Sequence, residues 1–191
     1  IFSNGYNGAS GKASLLVVDL ETGALIKRLQ VGGSATALAA PTMLDVDSDG
    51  YVDQVYAGDD VGNVWRFDLT SLVESGWTVA FGGAPLFSAP VGQPITSAPT
   101  LSAIDAEGAV MLYVGTGQYL GKTDKANLAV QSLYAVRDKW VTGSIGFATV
   151  TVSNLQQQTV VYEVDGATLA GGTTAPNPIR VTSANEIDYT T

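Results

Sequence analysis

Residues 40–68 read Ala40-Pro41-Thr42-Met43-Leu44-Asp45-Val46-Asp47-Ser48-Asp49-Gly50-Tyr51-Val52-Asp53-Gln54-Val55-Tyr56-Ala57-Gly58-Asp59-Asp60-Val61-Gly62-Asn63-Val64-Trp65-Arg66-Phe67-Asp68. Short runs of Val, Leu, Tyr, Trp and Phe alternate here with glycine- and aspartate-bearing turns, which is the pattern of antiparallel strands. The pattern recurs along the chain. Ala98-Pro99-Thr100 leading to Tyr113-Val114-Gly115 repeats Ala40-Pro41-Thr42 leading to Tyr56-Ala57-Gly58, at offsets of 58 and 57 residues. The closing run Val64-Trp65-Arg66-Phe67-Asp68 has counterparts in Leu15-Leu16-Val17-Val18-Asp19 and Tyr134-Ala135-Val136-Arg137-Asp138.

Repeats of this size, built from short strands with a glycine-rich turn in each, predict an all-β chain with the blades of a β-propeller, each a four-stranded antiparallel sheet. Asp19 to Asp68 is a step of 49 residues and Asp68 to Asp138 one of 70; a polar insertion, residues 117–130, accounts for the excess. At roughly 45 residues per blade the chain holds about three to four blades. Three are clear, and a weaker fourth unit runs from Phe147 to Glu163. The whole of 1–191 is expected to be part of a larger propeller, since an open ring exposes strand edges. Residues 164–191 read as loop-rich and truncated, and the strand-like opening at Ile1 as a cut end.

The nine residues 45–53 carry the chemistry. Calcium takes six to eight oxygen ligands, and a tight loop supplies them from positions 1, 3 and 5, a carbonyl at 7 and a carboxylate at 9. Asp45, Asp47, Asp49, the Tyr51 carbonyl and Asp53 fit those slots, with Gly50 at the sharp turn. Position 12 is Tyr56, where an EF-hand needs a bidentate Glu, so the site is expected to be an inter-strand calcium loop of another kind. Without a cation, four such close carboxylates repel one another. The plain alternative is an Asp/Gly hairpin whose side chains only cap their own backbone. The matching loop at Ala103-Ile104-Asp105-Ala106-Glu107-Gly108 lacks the first aspartate and any counterpart of Asp53, so no second metal is expected there.

The chain is 46% hydrophobic and 14% charged over 191 residues, as a globular protein is. A net charge of −9 with scattered basic residues argues against nucleic acid, which demands clustered Lys and Arg. There is no cysteine and no histidine, which removes disulfides, thiolate sites and any Ser-His-Asp or Cys-His arrangement. No run approaches the roughly 18 apolar residues of a membrane-spanning helix. Trp65 and Phe67 alternate along one strand and are read as core, with Val64 and Arg66 on the other side. Trp77 and Trp140 are placed near loops and read as structural, and Asp19, Asp68 and Asp138 as turn-forming acids at strand ends.

Phe2-Ser3-Asn4-Gly5-Tyr6-Asn7, the 45–53 loop, Tyr56-Ala57-Gly58-Asp59, Gly62-Asn63-Val64-Trp65-Arg66-Phe67-Asp68, Gly115-Thr116-Gly117-Gln118-Tyr119-Leu120 and Gln131-Ser132-Leu133-Tyr134 together resemble the C-terminal propeller of the PilY1/PilC family of type IV pilus tip adhesins and assembly factors. The resemblance covers roughly residues 1 to 163. It implies an exported protein of a Gram-negative bacterium, placed at the cell surface, pilus tip or outer membrane; with no general base and no cofactor motif in the sequence, no enzymatic activity is expected. It further implies partners among the minor pilins and host or surface receptors, and a loop Ca2+ tied to pilus extension against retraction, twitching motility and adhesion. Two other classes compete. One is a calcium-stabilised lectin-like or integrin-like propeller. The other is a quinone-dependent dehydrogenase propeller, suggested by Leu16-Val17-Val18-Asp19-Leu20-Glu21-Thr22-Gly23, or a glycosidase, which needs two carboxylates facing across a cleft.

Overall fold

The computed structural model describes residues 1–6, 11–105, 108–139, 149–164 and 179–187. They divide into two compact units, Ile1–Val152 and Ser153–Thr191. The first unit is a succession of three small sheets. Strands β1 (Phe2–Ser3), β2 (Ser14–Val18) and β3 (Leu25–Gln30) form the first, in that order and antiparallel. In the second, β4 (Thr42–Leu44), β5 (Gln54–Gly58) and β6 (Asn63–Asp68) are followed by β7 (Thr78–Val79) and β8 (Phe87–Ser88), both on the outer edge of β6. The third contains β9 (Thr100–Leu101), β10 (Ala109–Gly115) and β11 (Leu133–Lys139), again antiparallel. No α-helix occurs among the described residues. The all-β expectation and the blade-like repeat therefore stand.

Two details depart from the sequence expectation. Strand β12 (Val150–Thr151) lies parallel to β8, so the second sheet is not wholly antiparallel. Residues expected to form a weak fourth blade are divided: β12 joins the second sheet, whereas β13 (Val160–Val164) pairs with β14 (Ile179–Thr182) in a two-stranded hairpin of the second unit. That hairpin places a strand within 164–191, a span read as loop. An exposed pair, Arg180 Nη2 to Glu163 Oε1 at 2.9 Å, bridges its strands. Asn7, Trp140 and Phe147 lie outside the described residues.

Strand register tests the repeat directly. Thr42 faces Tyr56 and Thr100 faces Tyr113, so the two copies superpose at the expected offsets. On the other edge, Gln54 faces Asp68 while its counterpart Met111 faces Arg137, not Asp138. The third copy is thus displaced by one residue, and a displacement of one turns every side chain to the opposite face. The tight turn after β5, closed by Asp59 N–H on the Asn63 carbonyl at 2.9 Å, dictates the β5–β6 register. Between β10 and β11 the long 117–130 insertion imposes no such constraint, and burial decides.

The core sits between sheets. Leu15 and Val17 of β2 and Leu29 of β3 pack with Val55, Ala57, Trp65 and Phe67 of β5 and β6, and Trp77 packs at the border. Complete burial of an aromatic such as Phe67 contributes about 1.5–3 kcal/mol. Val64 and Arg66 point the other way and are also buried, and on that face Arg66 meets the third sheet. There Asp138 accepts Arg66 Nη1 at 2.9 and 3.0 Å and the Tyr56 hydroxyl at 2.8 Å. Asp138 is therefore a buried ion-pair partner, not a turn former. Asp19 and Asp68 do form turns: each accepts an N–H and a hydroxyl, from Thr22 and Thr70 respectively.

Candidate metal centre

The β4–β5 connection is the aspartate loop, and its backbone winds inside the carboxylates. Asp45 accepts Ser48 N–H through Oδ1 at 2.7 Å and Gly50 N–H through Oδ2 at 2.9 Å. Asp47 Oδ1 accepts Asp49 N–H at 3.2 Å, and Asp49 Oδ1 accepts Tyr51 N–H at 2.8 Å. This winding needs left-handed backbone at Ser48 (φ 64°) and Gly50 (φ 93°), the conformation that glycine adopts without strain. Each carboxylate has about four lone-pair directions, so these bonds leave acceptor capacity unspent.

Asp45, Asp47 and Asp49 each present a carboxylate oxygen within 4.8 Å of the others. Ligands held about 2.3–2.6 Å from one calcium can lie at most about 5 Å apart, so the three oxygens fit one ion. Asp45 is half-buried; Asp47 and Asp49 are exposed. Asp53 does not join this group. Its Oδ2 accepts Val46 N–H at 2.7 Å and its own N–H donates to the Leu44 carbonyl at 3.0 Å, closing the base of the loop. The Tyr51 side chain is 77% exposed, and the loop spacing assigns the ligand role to its backbone carbonyl.

The third repeat supplies a contrast. Asp105 accepts Ala109 N–H through Oδ1 and Arg137 Nη2 through Oδ2, at 2.9 and 2.8 Å. The displaced register brings Arg137 to this loop, where an arginine occupies the acid. In the second repeat the residue at the register position of Arg137 is Asp68, which adds no positive charge.

A residue that the sequence reading passed over organises the opposite end of β5. Asp59 is fully buried, and its carboxylate accepts four donors: Val61 N–H, Asn63 N–H, the Asn63 amide and Trp65 Nε1–H, at 2.7–3.0 Å. Its spacing to Asn63 and Trp65 was the available signal. Leu38 bridges Gly5 and Asp59, and Ile95 N–H donates to the Asp59 carbonyl at 2.9 Å, so the segments linking successive sheets are laced to this turn. Gly58 permits that approach: a Cβ there would lie 2.2 Å from Ile95 Cγ2.

The family model described as the PilY1 beta-propeller domain matches residues 1–172. The type IV pilus biogenesis factor PilY1 of Pseudomonas aeruginosa PAO1 is 35% identical over 99% of this chain, and the chain spans 18% of that protein. A PilY1 homolog of Xylella fastidiosa is 34% identical over 75% of the chain, which spans 11% of it. The crystal structure of the Pseudomonas aeruginosa PilY1 C-terminal domain superposes with a TM-score of 0.82 at 34% identity, covering 97% of this chain and 43% of that one.

Proposed function

We propose, from the premise that this chain belongs to the PilY1 β-propeller family, that it serves type IV pilus biogenesis as a calcium-dependent, non-catalytic scaffold. The curated relatives are named as pilus biogenesis factors, and the chain corresponds to a minor part of their length. Its contribution to pilus extension against retraction, to twitching motility and to surface adhesion is part of this reading. So are its placement at the cell surface, pilus tip or outer membrane and its partnership with minor pilins and host or surface receptors. No helix among the described residues is long and apolar enough to cross a membrane.

The observation that carries the calcium reading is the convergence of Asp45, Asp47 and Asp49 within 4.8 Å. Asp45, Asp47 and Asp49 would hold the ion, with the Tyr51 carbonyl and Asp53 drawn from the spacing to complete the shell. A bound Ca2+ supplies compensating positive charge to this acidic turn. With their repulsion relieved, the carboxylates keep the turn wound and hold β4 against β5, fixing the neighbouring loops as a surface for a partner.

Calcium titration calorimetry on wild type, Asp45→Ala and Asp53→Ala, with complementation of a pilus-defective strain, tests this. Both variants should lose affinity strongly, and twitching should fall with it. Unchanged calcium binding in both variants would remove the site. Lost binding with intact twitching would reduce the ion to a structural role.

A further inference from the structure

The face of the second sheet that meets the third contains polar groups that their protein neighbours do not satisfy. Gln54 is fully buried, and neither its Oε1 nor its Nε2 has a hydrogen-bond partner; Arg66 Nε is buried and unpartnered as well. Gln54 and Tyr56 project from the same face of β5, and Arg66 is paired to Tyr56 across the ladder. Arg66 and Gln54 are thus diagonal neighbours, a separation that two long side chains span. Interior polar groups without protein partners are rare, and such groups are usually met by an ordered water.

We propose that an internal water molecule bridges the Gln54 amide and Arg66 Nε between the second and third sheets. The chemistry selects the ligand. Arg66 Nε–H must donate and Gln54 Oε1 must accept, so the bridging species has to accept one hydrogen bond and donate another. A metal cation donates no proton and meets the guanidinium charge, while an anion, to which Gln54 Nε2 could donate, would meet the Asp138 carboxylate on the same guanidinium and leave Oε1 without a donor. The ion pair beside them is already committed. Asp138 takes Arg66 Nη1 on both oxygens and the Tyr56 hydroxyl on one, and the Phe81 ring covers the guanidinium 4.1 Å from its centre. The repeat itself does not require an amide here, for the register counterpart of Gln54 in the third sheet is Met111.

A crystal structure at a resolution that reveals ordered solvent tests the proposal. A peak within hydrogen-bond distance of both the Gln54 amide and Arg66 Nε is expected. No peak, a peak touching only one of the two groups, or a direct Gln54 Oε1 to Arg66 Nε bond would overturn it. Gln54→Met supplies the second readout. If water bridges the pair, this variant removes the acceptor that holds the water against Arg66 Nε, and the thermal midpoint falls. If Gln54 is truly unpaired, the apolar replacement removes a burial penalty and the midpoint holds or rises, which would equally overturn the proposal.

Discussion

Replacing Asp138 by alanine measures the consequence of the one-residue displacement in the third repeat. The substitution removes the acceptor of Arg66 Nη1, at 2.9 and 3.0 Å, and of the Tyr56 hydroxyl, at 2.8 Å, in an interface that excludes solvent from both partners. Breaking a buried pair by deleting one member leaves an uncompensated charge and costs about 3–5 kcal/mol. At about 2–4 °C per kcal/mol for a chain of this size, the thermal midpoint should fall by roughly 6–20 °C. Asp68→Ala is the control. Among the described residues the Asp68 carboxylate bonds only locally, to Thr70, and its loss should cost about 1 kcal/mol. Circular dichroism melts and urea titrations of both variants give the comparison. The triple variant Tyr56→Phe, Arg66→Met, Asp138→Leu should recover most of the loss, because an apolar set of similar volume replaces the buried ion pair and leaves no hydroxyl without its acceptor. Equal effects of Asp138→Ala and Asp68→Ala would refute the displaced register. A triple variant as unstable as Asp138→Ala would refute the account of its energetics.

Gly58→Ala should destabilise the fold by about 1–3 kcal/mol in urea titration, since its Cβ would lie 2.2 Å from Ile95 Cγ2 and 2.6 Å from Ile95 Cβ. Asp59→Ala strands three buried or half-buried donors besides the Asn63 amide and should cost at least about 3 kcal/mol, read by tryptophan fluorescence through the lost Trp65 contact. In the 117–130 insertion, the Gly121 and Leu120 N–H groups and then the Gln118 amide hold the Asp124 carboxyl below its usual range. A depressed value means that this anchoring is complete above the ordinary aspartate pKa, about 3.9, and is lost as pH falls through the lower folded value. The Gly121 and Leu120 amide resonances should shift together in that acid window, and Asp124→Asn should abolish the shift.

The strand plan was legible because it rests on local chemistry. Alternating β-formers, a glycine at each turn and the recurrence of Ala-Pro-Thr ahead of a tyrosine strand each constrain only their immediate neighbours, and Thr42–Tyr56 and Thr100–Tyr113 pair as their spacing requires. The convergence of Asp45, Asp47 and Asp49 was legible for the same reason, since five residues of tight turn leave their carboxylates nowhere else to gather. Asp53 was less so. Its carboxylate had a competing donor in Val46 N–H, and nothing in the spacing weighs one against the other.

What the amino-acid order determined by itself is therefore local in the chain: the all-β class, the repeat, the paired faces of Trp65 and Phe67, and the gathering of Asp45, Asp47 and Asp49. The tertiary structure alone decided which residues meet between sheets. It shifted the third copy by one position, buried Asp138 against Arg66 and Tyr56, placed Gln54 in the interior and sent β12 back to the second sheet. The physical reason is that a long insertion frees a strand pair from its turn, and register then follows whichever alternation buries more side chain and pairs more charge.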